Sequence, residues 1–428
     1  MTEAGPGPRY RWAILGVGLL IVFGALGLSR FSYTSILPSM QAALHLSNAQ
    51  AGGLATANLV GYLIMGLIGG ALAARMGPRR IITIGLVLAA LGMFVTGISG
   101  TYAPAMGGRL LTGMGSAAAN IPAHTMVALW FSRARRGIVT GAVSSGASVG
   151  LIVAGPLIPW IIRSYGGSGW RVSWYVLAAA TFFLAIVAVI VLRDRPGYKP
   201  EGIESSDTHV SVPWKKIYLS SSVWHLGAVY FCFGFAYMIY LTFFSKRLIA
   251  DLGYTPEAAG NLFMILGWAS LPCGVMWGWI SDHIGRKAAM TIILVIQALA
   301  FALFALWTDT AGLTLSAVLY GLTAWGIPSI MAVTCGDIFG PMMAPAAYGF
   351  LTFFHGLGQA TGPYVAGRMA DSLPSFTASY LVAAGVAFLG AVGMLLLRRK
   401  ATSHMGGALN VSDATAGECP VTEFLPPL

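Results

Sequence analysis

Arg30 and Arg109 each fall inside a long apolar run, and none of the fourteen acidic residues falls in the middle of such a run. Asp337 comes nearest, at the end of one. A guanidinium at the centre of a membrane helix costs about 2.5–3.5 kcal/mol on insertion scales, so it takes a partner or a wet cavity. With no carboxylate at hand, two outcomes are open. The side chain meets an anionic ligand, or it bonds main-chain carbonyls or snorkels to the surface. Arg30 is the better candidate for the first outcome.

Around these cations the apolar runs carry few other reactive groups. His124 and His355 can exchange a proton near neutral pH and are candidates for proton coupling; a neutral ring bonded to a neighbouring helix is the alternative. Tyr33, Asn58, Asn120, Trp325, His355 and Gln359 join Arg30 as candidate ligand-lining residues, although polar groups at such positions also serve as glue between helices. Cys232, Cys273, Cys335 and Cys419 have no metal-ligand spacing and read as reduced, small apolar residues. No metal cluster, nucleophile elbow or phosphate loop is visible, so neither an enzyme nor a cofactor is expected. The missing embedded carboxylate also argues against a pump for lipophilic cations.

A second constellation lies between apolar runs: Gly278-Trp279-Ile280-Ser281-Asp282-His283-Ile284-Gly285-Arg286-Lys287. A worn copy precedes it, with Gly70, Arg75, Gly77, Arg79 and Arg80 in matching places and Ala74 where Asp282 stands. The glycines permit a tight turn, and the acid can pair with the bases or cap a helix end. Gly77 and Gly285 lie 208 residues apart, as do Gly52 and Gly260, Gly113 and Gly321, and Phe131 and Phe339. Pro156 and Pro363 miss that register by one and are expected to bend their helices. One offset over most of the chain implies two similar halves.

The elements that position these residues follow from composition. The chain has 428 residues, 57% of them hydrophobic and only 9% charged; a soluble globule carries about 25% charge. An integral membrane protein is expected, in contact with lipid. The net charge of +11 does not point to nucleic acid, because the bases sit between apolar runs and form no stripe with aromatics. Twelve membrane helices are expected, at 12–38, 48–74, 80–99, 103–130, 137–162, 171–192, 222–246, 257–280, 288–307, 311–336, 344–369 and 376–397. Residues 12–192 and 222–397 would form two six-helix bundles, joined by a cytoplasmic linker at 193–221 with a short surface helix near Trp214. Residues 1–11 would be a cytoplasmic N-terminus and 398–428 a disordered cytoplasmic tail. Of the 25 lysines and arginines, 18 fall on the side of the N-terminus, which puts both termini in the cytoplasm. Ser47 and Thr255 read as helix N-caps, the latter followed by Pro256 and Glu257.

These features resemble the major facilitator superfamily. Gly278, Asp282, Gly285, Arg286 and Lys287 match its loop pattern. Arg109, Gly113 and Gly115 match its fourth-helix signature, and Gly155-Pro156 echoes part of its fifth-helix pattern. Arg30-Phe31-Ser32-Tyr33-Thr34-Ser35-Ile36-Leu37-Pro38 looks like a poorly characterised bacterial subfamily, distantly similar to oxalate–formate and monocarboxylate transporters. The resemblance implies an all-α membrane fold with two pseudo-symmetric six-helix bundles that rock about a midplane site. It implies a monomer in the inner membrane, and a conformational gate built from the two basic loops with Arg109. Within the gate, Asp282 would pair with Arg286 and with the cytoplasmic end of the fifth helix. The expected cargo is a small organic anion, a carboxylate, moved by proton symport or anion exchange. Export of a neutral or amphipathic compound, and a sensor that moves nothing, are the alternatives.

Overall fold

The computed structural model describes residues 8–131, 136–193, 218–373 and 375–397. The linker residues 194–217, with the helix expected near Trp214, and the tail from residue 398 lie outside the described residues. Among those described there is helix and no strand. In lipid a spanning segment must satisfy its backbone internally, and a helix does so within one segment.

The chain opens with α1 (Pro8–Val22), which widens into a π-helical stretch (Phe23–Phe31) and resumes as α2 (Tyr33–Ala43). Then come α3 (Asn48–Met76), α4 (Pro78–Ile98), α5 (Tyr102–Leu129), α6 (Arg136–Tyr165) and α7 (Gly169–Val191). The second half holds α8 (Ser221–Lys246), α9 (Pro256–Ser270), α10 (Cys273–Ile284), α11 (Arg286–Leu306), α12 (Thr310–Gly321), α13 (Gly326–Ser372) and α14 (Thr377–Leu396). Both expected caps are present. Ser47 accepts from Gln50 N in a full capping box, and Thr255 accepts from Ala258 N.

Three stretches differ from expectation; in the first, the helix expected at 311–336 is interrupted, α12 ending at Gly321 and α13 starting at Gly326. The helix expected at 257–280 is broken into α9 and α10, bent by 42°, because Pro272 has no N–H to continue the ladder. The helices expected at 311–336 and 344–369 are not separated by a loop, since α13 is one helical run of 47 residues. It is not a straight rod. Tyr348 Oη donates to Pro328 O at 3.5 Å, whereas twenty residues of straight helix would hold the two about 30 Å apart. So α13 doubles back.

The 208-residue offset becomes a physical two-fold relation. Gly77 (φ +86°) and Gly285 (φ +87°) hold the same left-handed turn, each directly before a helix. A Cβ on Gly113 would meet Asn58 O, and one on Gly321 would meet Leu266 O; residues 58 and 266 share the offset. Between the repeats, Gly52 packs on Pro363 O and Gly260 on Gly155 O, with no room for a Cβ in either case. Residues 155 and 363 again differ by 208. Each repeat therefore lends a glycine to the other at equivalent places. Such close approach is what packs helices in lipid, where no hydrophobic force drives them together. It also aligns Gly155, not Pro156, with Pro363.

These contacts close one end of the molecule. There Asp371 accepts from Asn48 N (2.7 Å) and Ala49 N (3.0 Å), capping α3 from the opposite repeat. A carboxylate at the positive end of a helix is stabilising. Thr34 donates to Leu241 O and Thr56 to Ala360 O, both at 2.6 Å. Ser270 donates to Ser148 Oγ at 2.7 Å. Replacing the cap, Asp371→Ala, is expected to cost about 0.5–2 kcal/mol of closure. Labelling of a cysteine introduced as Thr56→Cys, half-buried behind the cap, measures it: the label should react several-fold faster in the Asp371→Ala background.

Candidate substrate cavity and gate

The widened turn at Phe23–Phe31 carries Arg30, and three helices fix its surroundings. Its guanidinium carbon lies 4.2 Å from the Tyr62 ring centroid. Tyr62 is the midpoint residue of the 29-residue α3, so the charge sits halfway along that helix. Asn120 on α5 donates to Tyr62 Oη at 2.8 Å and holds the ring in place. Arg30 is only 7% exposed, and its Nε and Nη2 have no hydrogen-bond partner. Main-chain carbonyls do not take up these two donors, and the side chain does not snorkel out.

Arg109 is 1% exposed and differently placed. Its Nη1 donates to Ser29 O at 2.8 Å, beside Arg30. Its guanidinium lies between the rings of Tyr33 (4.6 Å) and Trp174 (5.2 Å). Tyr33 Oη donates to Ala51 O at 2.7 Å, which pins the ring. Asn58 Nδ2 donates to the carbonyl of Arg109 at 3.2 Å. Gly108 next to it packs on Thr96, about 27 Å along α4 from Pro78. Arg109 is therefore remote from the Gly77 turn with which its sequence motif is grouped.

From the second half, α8 and α13 bring an aromatic wall. The His355 ring stacks on Tyr230 (4.3 Å) and lies 5.4 Å from Phe233 and 5.8 Å from Tyr237. Gln359 donates to Tyr237 Oη and lies 3.3 Å from His355 Nε2. Arg30 is close enough to Tyr237 and His355 to act on both electrostatically. Sequence order hides this meeting, because Arg30 and His355 lie in opposite repeats.

The remaining candidates sit at the edges. Trp325 donates through Nε1 to Ser148 Oγ (3.1 Å) and lies 5.5 Å from Phe31, bridging the repeats. His124 is within hydrogen-bonding distance of Asn120 O (3.0 Å) and Ser144 Oγ (3.1 Å), between α5 and α6. Tyr62, Tyr237 and Asp371 are the residues sequence reasoning did not put in a site. The i, i+4 spacing of Asn58 and Tyr62 was an available signal for the first. Nothing local marks Asp371, whose partners are over 320 residues away.

At the far end stand the two basic turns. Asp282 pairs with Arg286, which also donates to Ser281 Oγ (2.6 Å) and approaches Asp337 Oδ2 (3.4 Å). Lys287 donates to Leu397 O at 3.0 Å. The expected partner at the start of α6 involves residues 132–135 and the Arg136 side chain, outside the described residues, as are the surroundings of Gly70 and Ala74. In the first repeat Arg79 donates to Val189 O, and Arg75 and Arg80 are exposed. Gly278 has open space where a Cβ would stand.

A multi-pass helical membrane protein, with repeats related by a two-fold offset and polar groups gathered between them, has the form of a carrier rather than an enzyme. Residues 22–395 match the family described as "Uncharacterised MFS-type transporter YbfB", and the chain belongs to that family of the major facilitator superfamily. It is 22% identical to the hexuronate transporter of Bacillus subtilis (strain 168), over 86% of this chain and 90% of that protein. It is 24% identical to the phosphoglycerate transporter protein of Salmonella typhimurium, over 95% of both chains. The crystal structure of nucleoside transporter NupG shares the fold, with a TM-score of 0.73, 18% identity, and coverage of 91% of this chain and all of that one.

Losing the Tyr62 ring removes the one aromatic face against Arg30, a guanidinium–ring contact that contributes about 0.5–2 kcal/mol. In a transport or binding assay Tyr62→Leu should raise the apparent dissociation constant roughly 2- to 30-fold, and Tyr62→Phe, which keeps the face, much less.

Proposed function

We propose that this secondary transporter moves a small organic anion bearing a carboxylate, and that Arg30 receives the negative charge. The observation that carries the reading is the pair of unbonded donors, Nε and Nη2, on a buried guanidinium between the repeats. A planar carboxylate accepts two parallel N–H bonds from such an edge. The names of the hexuronate and phosphoglycerate transporters support an anionic cargo. Asn58, Asn120, Tyr33, Trp325, His355 and Gln359 line or brace the path. His124 and His355 are the proton-coupling candidates for symport; without them the same site serves anion exchange.

Movement is by alternating access of two bundles, residues 12–192 and 222–397, with Pro156 and Pro363 as bends at the closed end. The base count supports placing the Gly77 and Gly285 turns, and both termini, on the cytoplasmic side of the inner membrane. The end sealed by Asp371 then faces outward, and the protein works as a monomer. The Asp282–Arg286 pair with Gly278, Gly285 and Lys287, and the first-repeat group of Gly70, Arg75, Gly77, Arg79 and Arg80, form the inner gate. Ala74 in place of an acid leaves the acidic part of that gate to the second repeat.

Reconstituted into proteoliposomes, Arg30→Gln should reduce uptake of labelled carboxylates at least 100-fold while the purified protein stays monodisperse. Wild-type flux in that variant would remove Arg30 from the site. Asp282→Asn should slow turnover several-fold with little change in KM; a large KM change at unaltered turnover would contradict the gate.

A further inference from the structure

Arg30 and Arg109 share one small, partly open pocket, lined also by Tyr33, Thr34, Asn58 and Thr242. No acidic residue is among its lining. Three guanidinium nitrogens there lack a partner: Nε and Nη2 of Arg30, and Nε of Arg109. Both side chains are more than nine-tenths buried. Asn58 Oδ1 is unpartnered too, but a neutral amide does not offset two positive charges.

Two buried cations within electrostatic reach of each other, with no counter-charge, are costly. The rings of Tyr33 and Trp174 offset part of that cost for Arg109, through their negative faces. Neither ring accepts the Nε–H, which lies in the guanidinium plane. An anion does both: it accepts the free in-plane donors and neutralises charge. The pocket is walled by α2 and α3 of one repeat and by α8 of the other, where Thr34 donates to Leu241 O. It is therefore complete only while this end of the molecule is closed.

We propose that Arg30 and Arg109 together form a pocket for one compact anionic head group, either the carboxylate of the cargo or a halide ion. Arg109 is then a binding residue and not part of the gate at the Gly77 turn. The proposal rests on the reading of Arg30 as an anion receptor and extends it to a second cation, a size limit and a place between the two repeats.

The test uses the purified full chain and follows thermal unfolding while sodium chloride or sodium acetate replaces sodium sulfate at constant ionic strength. A ligand bound only by the folded form raises its stability. The expected result is a saturable rise in Tm with chloride and acetate. The rise should be lost in Arg30→Gln and in Arg109→Gln, and reduced in Ala55→Val, which narrows the pocket wall and leaves both charges in place. No saturable rise with either anion, or an undiminished rise in Arg30→Gln, Arg109→Gln or Ala55→Val, overturns the proposal. Carboxylate uptake measured in parallel keeps the two readings apart. Uptake that depends on Arg30 but is indifferent to Arg109→Gln sinks the two-arginine pocket and leaves the proposed function standing. Chloride that raises KM for uptake without lowering its maximal rate assigns the pocket to the cargo head; chloride that raises Tm and leaves KM unchanged assigns it to a resident halide.

Discussion

Two guanidiniums held within the helices without a carboxylate to neutralise them are the constraint on which the interior of this protein turns. Each ion out of water costs several kcal/mol unless something answers it. The fold answers Arg109 with a carbonyl and two aromatic faces. It answers Arg30 with one face only, that of Tyr62, and leaves two of its donors unbonded. Buried donors are normally paired, so an unpaired edge at the meeting of two repeats marks a place where binding energy is available.

The repeat relation supplies the mechanics. Gly52 on Pro363 and Gly260 on Gly155 are one contact made twice, with the repeats exchanging roles. Backbone-to-backbone packing of this kind is steep. It is lost within a fraction of an ångström, since a void forfeits the dispersion contacts that make it. Such an interface favours two discrete arrangements over a graded one. Asp371 adds a charge-assisted cap across the same seam, which ties the closed arrangement to the start of α3. The helix bearing that cap also carries Asn58 and Tyr62, so closing the seam and shaping the cavity are movements of one rod.

The two halves contribute differently to the interior. The first brings cations and amides from the π-helical turn, α3 and α5. The second brings a stack of rings, with His355 among Tyr230, Phe233 and Tyr237. The offset that preserves glycines does not preserve these groups: Arg30 corresponds to Met238 and Asn58 to Leu266. Backbone approach is common to both halves because both must pack.

The sequence by itself determined the medium, the all-helical make-up, the doubled architecture and the loop turns at Gly77 and Gly285. All of these rest on local composition, a fixed offset, or a residue type that alone tolerates positive φ. It also singled out Arg30, because a charge without a counter-charge is visible in one dimension. Tertiary structure decided what answers that charge. Tyr62 turns its face to Arg30, Arg109 is stationed beside it and far from the Gly77 turn, and Asp371 caps a helix in the other repeat. It likewise decided that α13 folds back without a loop. These are pairings between residues far apart in the chain, and propensity and periodicity describe only neighbours along it. Which side chains face each other is fixed by how helices pack, and that is a property of the assembled fold alone.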